Sequence, residues 1–265
     1  MSDDRYAKYQ RLKFDRPHPR VLRITMTSTM KLNAMDALLH HEVSLIWADI
    51  EADKSVSVAI ITGAGTAFSA GGDLKHEQKV QREHEPRMET MQEAHNIVLG
   101  MVNCSKPIIS AIRGWAVGAG LACALMADIS IASKTAKISD GHTKIGLTAG
   151  DHALIIWPLL CGMAKAKYYL LLCEQVTGEK AEEIGLISMA VDEADLEQTA
   201  LAVATRLAKG APMAISATKY ALNNWLRMAG PTFDASLAMQ FFGFGGPEAR
   251  EGLASHREKR PPAFK

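Results

Sequence analysis

An α/β fold with a helical C-terminal region is the architecture this sequence predicts, and three observations predict it. Strand-like apolar runs alternate with helix-like segments from Val21 to about residue 150. From Asp151 onward the pattern is almost wholly helical. No Pro/Ser-rich linker divides the two parts. The expected division is a polar N-terminal extension at 1–20, an α/β core at 21–195 and a helical region at 196–265. A chain of 265 residues is long enough for one large core of this kind.

The elements follow in order. Val21 to Thr27 alternates and reads as a strand. Asp36 is placed to cap a helix over 37–52, with Leu38, Leu39, Val43, Ile46 and Ile50 near one face. Val56 to Thr62 is a short strand rich in β-branched residues, followed by turns at Gly63–Gly65 and Ser69–Asp73. Lys75 to Glu89 is dense in charge; it reads as a mobile surface segment or a solvated helix face, with His76 and His84 at the surface. A helix is expected over 88–102, then a strand over 108–112. The Gly-rich turn Gly114–Gly120 runs into an apolar helix over 121–127, closed by Asp128, and a strand over 129–132. Helices are predicted over 151–160, 164–173, 179–185, 194–209, 212–228, 231–242 and 247–257.

Composition removes several classes of function. With 30 basic and 29 acidic residues the net charge is +1, so the general field of a nucleic-acid binder is missing. No apolar run reaches 18 residues, because Pro158 and Gly162 interrupt the richest one, so no membrane span is expected. Met1 to Arg20 has no apolar stretch of the signal-peptide kind. Cys104, Cys123, Cys161 and Cys173 form no CxxC pair and read as buried reduced thiols, with no metal site expected. A cytoplasmic protein is the expectation.

Chemistry is expected at the Gly-rich turns that follow strands. Small residues let backbone N–H groups approach a ligand, and a helix N-terminus adds unpaired donors. Neither turn matches a phosphate-loop or dinucleotide-binding pattern. Two N–H groups aimed at one point would instead form an oxyanion hole, where one donor is worth about 2.7–4 kcal/mol in the transition state.

The motifs in order carry a resemblance. Lys31-Leu32-Asn33-Ala34-Met35, Phe68-Ser69-Ala70-Gly71-Gly72-Asp73-Leu74, Lys106 to Ile112, Gly114 to Gly120 with Asp128, Thr177 to Ile187, and Glu258 to Phe264 together resemble the crotonase (enoyl-CoA hydratase/isomerase) superfamily. The resemblance implies a spiral of ββα units and a helical C-terminal trimerisation region, in a homotrimer or a dimer of trimers. It implies acyl-CoA thioesters as substrates, with coenzyme A arriving as part of the substrate and no resident cofactor, nucleic acid or membrane partner. Matched residue by residue, the oxyanion donors are the backbone N–H groups of Gly72 and Ala119. Lys31, Leu32, Ala34, Ala70, Asp73, Leu74, Trp115 and Gly118 are implied to line the coenzyme path. Phe241 and Lys259 match residues that reach the coenzyme from a neighbouring subunit.

The acid–base residues depart from the family pattern. The two positions usually held by glutamate fall on Ala122 and His142. His142 with Asp151, and with Asp140 beside them, stands in that region, and the segment is similar to 6-oxocamphor hydrolase. A histidine near neutral pKa can act as base and acid, and a carboxylate can set its tautomer. His40 on the first helix and His95 are secondary candidates; His95 resembles the catalytic histidine position of 4-chlorobenzoyl-CoA dehalogenase. The expected function is an enoyl-CoA hydratase/isomerase-type enzyme. The alternatives are a hydrolase of β-diketones or of an acyl- or aryl-CoA, and a silent scaffold or RNA-associating relative.

Overall fold

The repeating unit of the chain is a long strand, a short extended segment and a helix. The computed structural model describes residues 4–265. β1 (Leu12–His18) leads in and pairs antiparallel with β2 (Val21–Met26). Beyond β2 the chain forms a single bridge from Met35 to Gly72 and enters α1 (Ala37–Ala52), whose N-cap Asp36 accepts the Leu39 N–H at 2.8 Å. β3 (Val58–Gly63) is followed by a bridge from Ser69 to Ala116, then α2 (Leu74–Arg82) and α3 (His84–Asn103). β4 (Ile108–Ile112) is followed by β5 (Trp115–Val117) and α4 (Gly118–Leu125). β6 (Ile129–Ser133) is followed by β7 (Lys137–Ser139) and α5 (Ala153–Leu172). β8 (Val176–Thr177), α6 (Gly178–Glu183) and β9 (Met189–Val191) end the β-containing part.

The long strands stack in sequence order, β1-β2-β3-β4-β6-β9, and all are parallel after the first pair. Parallel neighbours need crossovers, and the helices supply them. β3 and β4 are buried at every residue, as strands covered on both faces must be. On one face lie α1, α3 and α4, with Trp47, Phe68 and Ile97 in the core. On the other lies α7 (Leu196–Ala208), whose Ala200 and Ala204 let it sit close against Val58, Ile60 and Ile109. The short segments build a second layer, β5-β7-β8, prolonged by the two single bridges. α8 (Pro212–Leu222), α9 (Asn224–Met228), α10 (Gly230–Gly243) and α11 (Pro247–Glu258) follow. α10 returns to pack on α3 and α5, and α11 packs on α2.

Several expectations are corrected. Residues 12–18 of the supposed extension form β1. Buried Glu42 takes the backbone N–H groups of Gln10, Arg11 and Leu12 at 2.7–3.1 Å, and Tyr6 stacks on Phe14, which ties this segment to the core. Of the two readings of the 75–89 segment the helical one holds, but His76 is half-buried rather than at the surface. Cys104 and Cys123 are buried as expected, but Cys161 and Cys173 are half-exposed. α5 is 20 residues long and, by length and composition alone, apolar enough to cross a membrane, which the sequence reading did not foresee. Its helical geometry breaks at Gly162 (φ 78°, ψ 156°). Each piece is then at most about 15 Å long at 1.5 Å per residue, about half of a 30 Å hydrocarbon core.

Candidate active site

The second layer brings the two Gly-rich turns together by register. Ser69 bridges Ala116 in parallel, and the Val117 N–H donates to Ser69 O at 3.0 Å. Three residues further on in each segment stand Gly72 and Ala119. Gly71 and Gly118 touch between them: a Cβ on Gly118 would lie 3.8 Å from Gly71 Cα. Gly118 takes the left-handed conformation (φ 49°), which leaves Ala119 at an ordinary negative φ in the first turn of α4. An N–H at that position has no acceptor one turn back. The Gly72 N–H likewise has no partner among the described residues. Gly72 and Ala119 thus stand on adjacent segments, and both line one cavity of about 780 Å³.

The loop after β7 carries Asp140, His142 and Asp151 to the same place. Gly118 N–H donates to Asp140 O at 3.1 Å and pins the loop to the start of α4. His142 Nδ1 lies 2.9 Å from Asp140 Oδ1, and His142 Nε2 lies 3.6 Å from Asp151 Oδ2. His152 Nδ1 lies 2.7 Å from Asp151 Oδ1. All four side chains are buried. Burial by itself would depress the His142 imidazolium, but Asp140 and Asp151 outweigh it and push His142 up to about 10. Burial would raise Asp151, yet His142 and His152 hold it well below the usual carboxylate range. Asp140, Asp151 and His152 also bring possible metal ligands within 4.8 Å of one another. Since histidine nitrogens already engage one oxygen of each carboxylate, the set is a histidine–carboxylate network in this structure.

α10 closes the network from above. Gly150 N–H donates to Gln240 Oε1 at 2.9 Å, which turns the Gln240 amide nitrogen toward His142 Nε2 at 3.1 Å. This arrangement favours a proton on Nδ1, toward Asp140, and a lone pair on Nε2. Two carboxylate charges work against that one amide dipole, so the net pull on His142 is still upward.

α1, α2 and α3 form the opposite wall. Buried His40 places Nδ1 2.6 Å from Glu93 Oε2, and His41 places Nδ1 2.8 Å from Glu93 Oε1. Burial would raise Glu93, but these two contacts lower it. Burial, then the nearby His40, depresses His76. Glu77 on α2 is turned into the cavity, where burial pushes its carboxyl up to about 7 against the pull of His142 and His40.

Most sequence-derived site residues meet here. Gly72, Ala119, Asp140, His142 and Asp151 line the cavity, as do Lys31, Leu32, Ala34, Ala70, Asp73, Leu74, Trp115 and Gly118. Asp73 also caps α2, accepting the Lys75 and His76 N–H groups. Phe241 lines the cavity of its own chain, beside Phe244, rather than serving only a neighbour. Lys259 is exposed at the end of α11 and lies outside the cavity wall. His40 lines the cavity, whereas His95 does not; it stacks on Phe233 at 5.7 Å. Ala122 is buried in α4, away from the lining. Glu77 and Gln240 escaped the sequence reading. The only signal for Glu77 was one acid of several in a charged stretch, and for Gln240 a polar residue between Met239 and Phe241 in an apolar helix.

Comparison with known proteins adds a lineage. The family model described as enoyl-CoA hydratase/isomerase matches residues 18–265. A 1,2-epoxyphenylacetyl-CoA isomerase of Escherichia coli is 30% identical over 250 residues, covering 92% of this chain and 94% of the relative. A short-chain-enoyl-CoA hydratase of Clostridium acetobutylicum is 28% identical over 242 residues, covering 89% and 91%. The crystal structure of an enoyl-CoA hydratase/isomerase from Mycobacterium paratuberculosis superposes with a TM-score of 0.88 at 30% identity, covering 92% of this chain and 98% of that one.

Proposed function

Because the chain belongs to the enoyl-CoA hydratase/isomerase family, the crotonase superfamily, we propose that it holds an acyl-CoA thioester carbonyl on the Gly72 and Ala119 N–H groups and moves protons with His142. The convergence of two unpaired backbone donors with the His142–Asp140–Asp151 network in one cavity carries this reading. As negative charge develops on the thioester oxygen, both donors strengthen, and they need no reorganisation to do so. His142 then exchanges a proton with the acyl chain or with water, while Asp140 and Asp151 stabilise the imidazolium. Coenzyme A enters as part of the substrate. Its phosphates meet local cations at the cavity mouth, Lys31 and Lys144, in a chain whose net charge is only +1.

The C-terminal helices fit assembly into a trimer or a dimer of trimers. They leave Met213, Trp225, Met228 and Phe242 63–88% exposed, and a second copy would cover such side chains. In that assembly Lys259 is assigned to the cavity of an adjacent copy.

The test is a turnover screen against crotonyl-CoA, longer enoyl-CoAs, aryl-CoAs and β-diketones, run beside His142→Ala. The variant is expected to lose about 10²–10⁴-fold in kcat with little change in KM. Full turnover in the variant overturns the assignment. The 3.6 Å approach of Asp151 to His142 also favours a second reading, activation of water for hydrolysis. Solvent ¹⁸O in a cleaved product marks that outcome, and a hydrated or isomerised product excludes it.

A further inference from the structure

Glu77 projects from the first turn of α2, and a Cβ placed on Gly72 would lie 1.8 Å from its Oε1. The carboxyl thus sits directly beside one of the two backbone donors. Neither of its oxygens has a hydrogen-bond partner among the described residues, although Glu77 is only half-exposed and lines the cavity. A half-buried carboxyl that lines a cavity and has no protein partner is left open to a group bound there. The charged groups around it are His40 on α1, Asp73 at the α2 cap, His142 and Asp151 across the cavity, and His256 on α11.

We propose that Glu77 is a second proton-transfer residue of this cavity, which takes the α-proton of an acyl-CoA thioester and leaves His142 to serve the more distant carbon or its hydroxyl. The inference rests on the acyl-CoA reading above. An oxygen bound by Gly72 and Ala119 is two bonds from the α-carbon, so the group beside Gly72 is the one nearest the α-hydrogen. In elimination, the α C–H bond breaks and its proton forms an O–H bond on Glu77. The electron pair passes through the enolate, whose charge rests on the thioester oxygen. As the β C–O bond breaks, the His142 imidazolium gives its proton to the departing hydroxyl and releases water. Hydration is the reverse, with Glu77 protonated and His142 neutral. The two environments push the groups in complementary ways: burial brings Glu77 to about 7, and the paired aspartates bring His142 to about 10. Near neutral pH the site then holds a base beside the α-carbon and an acid across from it.

The experiment is deuterium exchange at the α-carbon of butyryl-CoA in D₂O, followed by NMR for the wild-type protein, Glu77→Gln and His142→Gln. Butyryl-CoA has no double bond or β-hydroxyl, so only the α-proton step is read. Glu77→Gln is expected to lower exchange about 10²-fold and to abolish a rise in rate through about pH 7, while thioester affinity by calorimetry stays within about threefold. His142→Gln is expected to lose crotonyl-CoA hydration and to move the pH step of exchange upward, because the histidine that draws the Glu77 carboxyl down is gone. Glu77→Asp, which keeps the acid but withdraws it, is expected to retain an intermediate rate. Should the Gln variant lose thioester binding, the Asp variant decides, and an unchanged rate there overturns the proposal. Wild-type exchange that survives in Glu77→Gln, with its pH step intact, overturns this inference alone. No exchange in the wild-type protein overturns the acyl-CoA enolate reading as well.

Discussion

His142 is the side chain on which the electrostatics of the site turn. Its folded-state pKa is raised from 6.5 to about 10 by Asp140 and Asp151 acting against burial. A raised pKa means that the stabilisation is complete below the unfolded value near 6.5 and is lost as pH rises through about 10. The melting temperature of the wild-type protein is therefore expected to fall between pH 7 and 10 by an increment that His142→Gln lacks. That variant should also melt lower at neutral pH, because it leaves buried Asp140 without its histidine partner and Asp151 with His152 alone. Equal slopes for the two proteins in a calorimetric pH series would contradict the assignment. At this scale the sequence was informative wherever a residue's role follows from its own loop. Asp140, His142 and Asp151 lie within twelve residues of one another, and Gly118-Ala119 shows its turn directly. Glu77 and Gln240 were not legible, because their meaning depends on α2 and α10 meeting a loop far away in sequence.

The helix α10 shows how an element can act on chemistry through a glycine. Gly150 donates to Gln240 and also accepts from the Ser236 hydroxyl at 2.9 Å, so α10 is held to the 140–152 loop at two points. A Cβ on Gly150 would lie 2.0 Å from Ser236 O, a backbone atom that can yield only if the helix moves. Gly150→Ala is expected to destabilise the protein by about 1–3 kcal/mol in urea unfolding. It should also lower turnover at unchanged protein concentration, since Gln240 is drawn off His142. A variant with wild-type stability would show that α10 is not seated this tightly. Element by element, the strong periodicities were legible: the Asp36 cap, the α1 face and even the division of α5 at Gly162 follow from residue pattern. β7, β8 and β9 were not, because strands of two or three residues carry no measurable alternation. β1 was hidden in a polar stretch, where only Leu12 and Phe14 mark the inner face and Glu42, thirty residues away, satisfies the backbone before it.

Across the whole molecule, the spiral explains how residues far apart in sequence reach one cavity. Each turn of the spiral delivers one short segment to the second layer, and successive segments lie side by side. The segments at 69–72, 115–119 and 139–142 therefore present Gly72, Ala119 and His142 to one cavity. The C-terminal helices add Gln240 and Phe241 from the far end of the chain. Near-zero net charge leaves recognition of an anionic substrate to a few placed lysines, so binding is expected to depend on Lys31 and Lys144 rather than on the overall field. The central claim is that one thioester oxygen sits on both backbone donors. The infrared difference spectrum of butyryl-CoA labelled with ¹³C at its thioester carbonyl tests this most directly. Two N–H donors polarise the bond, so the labelled C=O stretch should move to lower wavenumber on binding. A bound thioester with its carbonyl stretch unshifted from that in water would contradict the account.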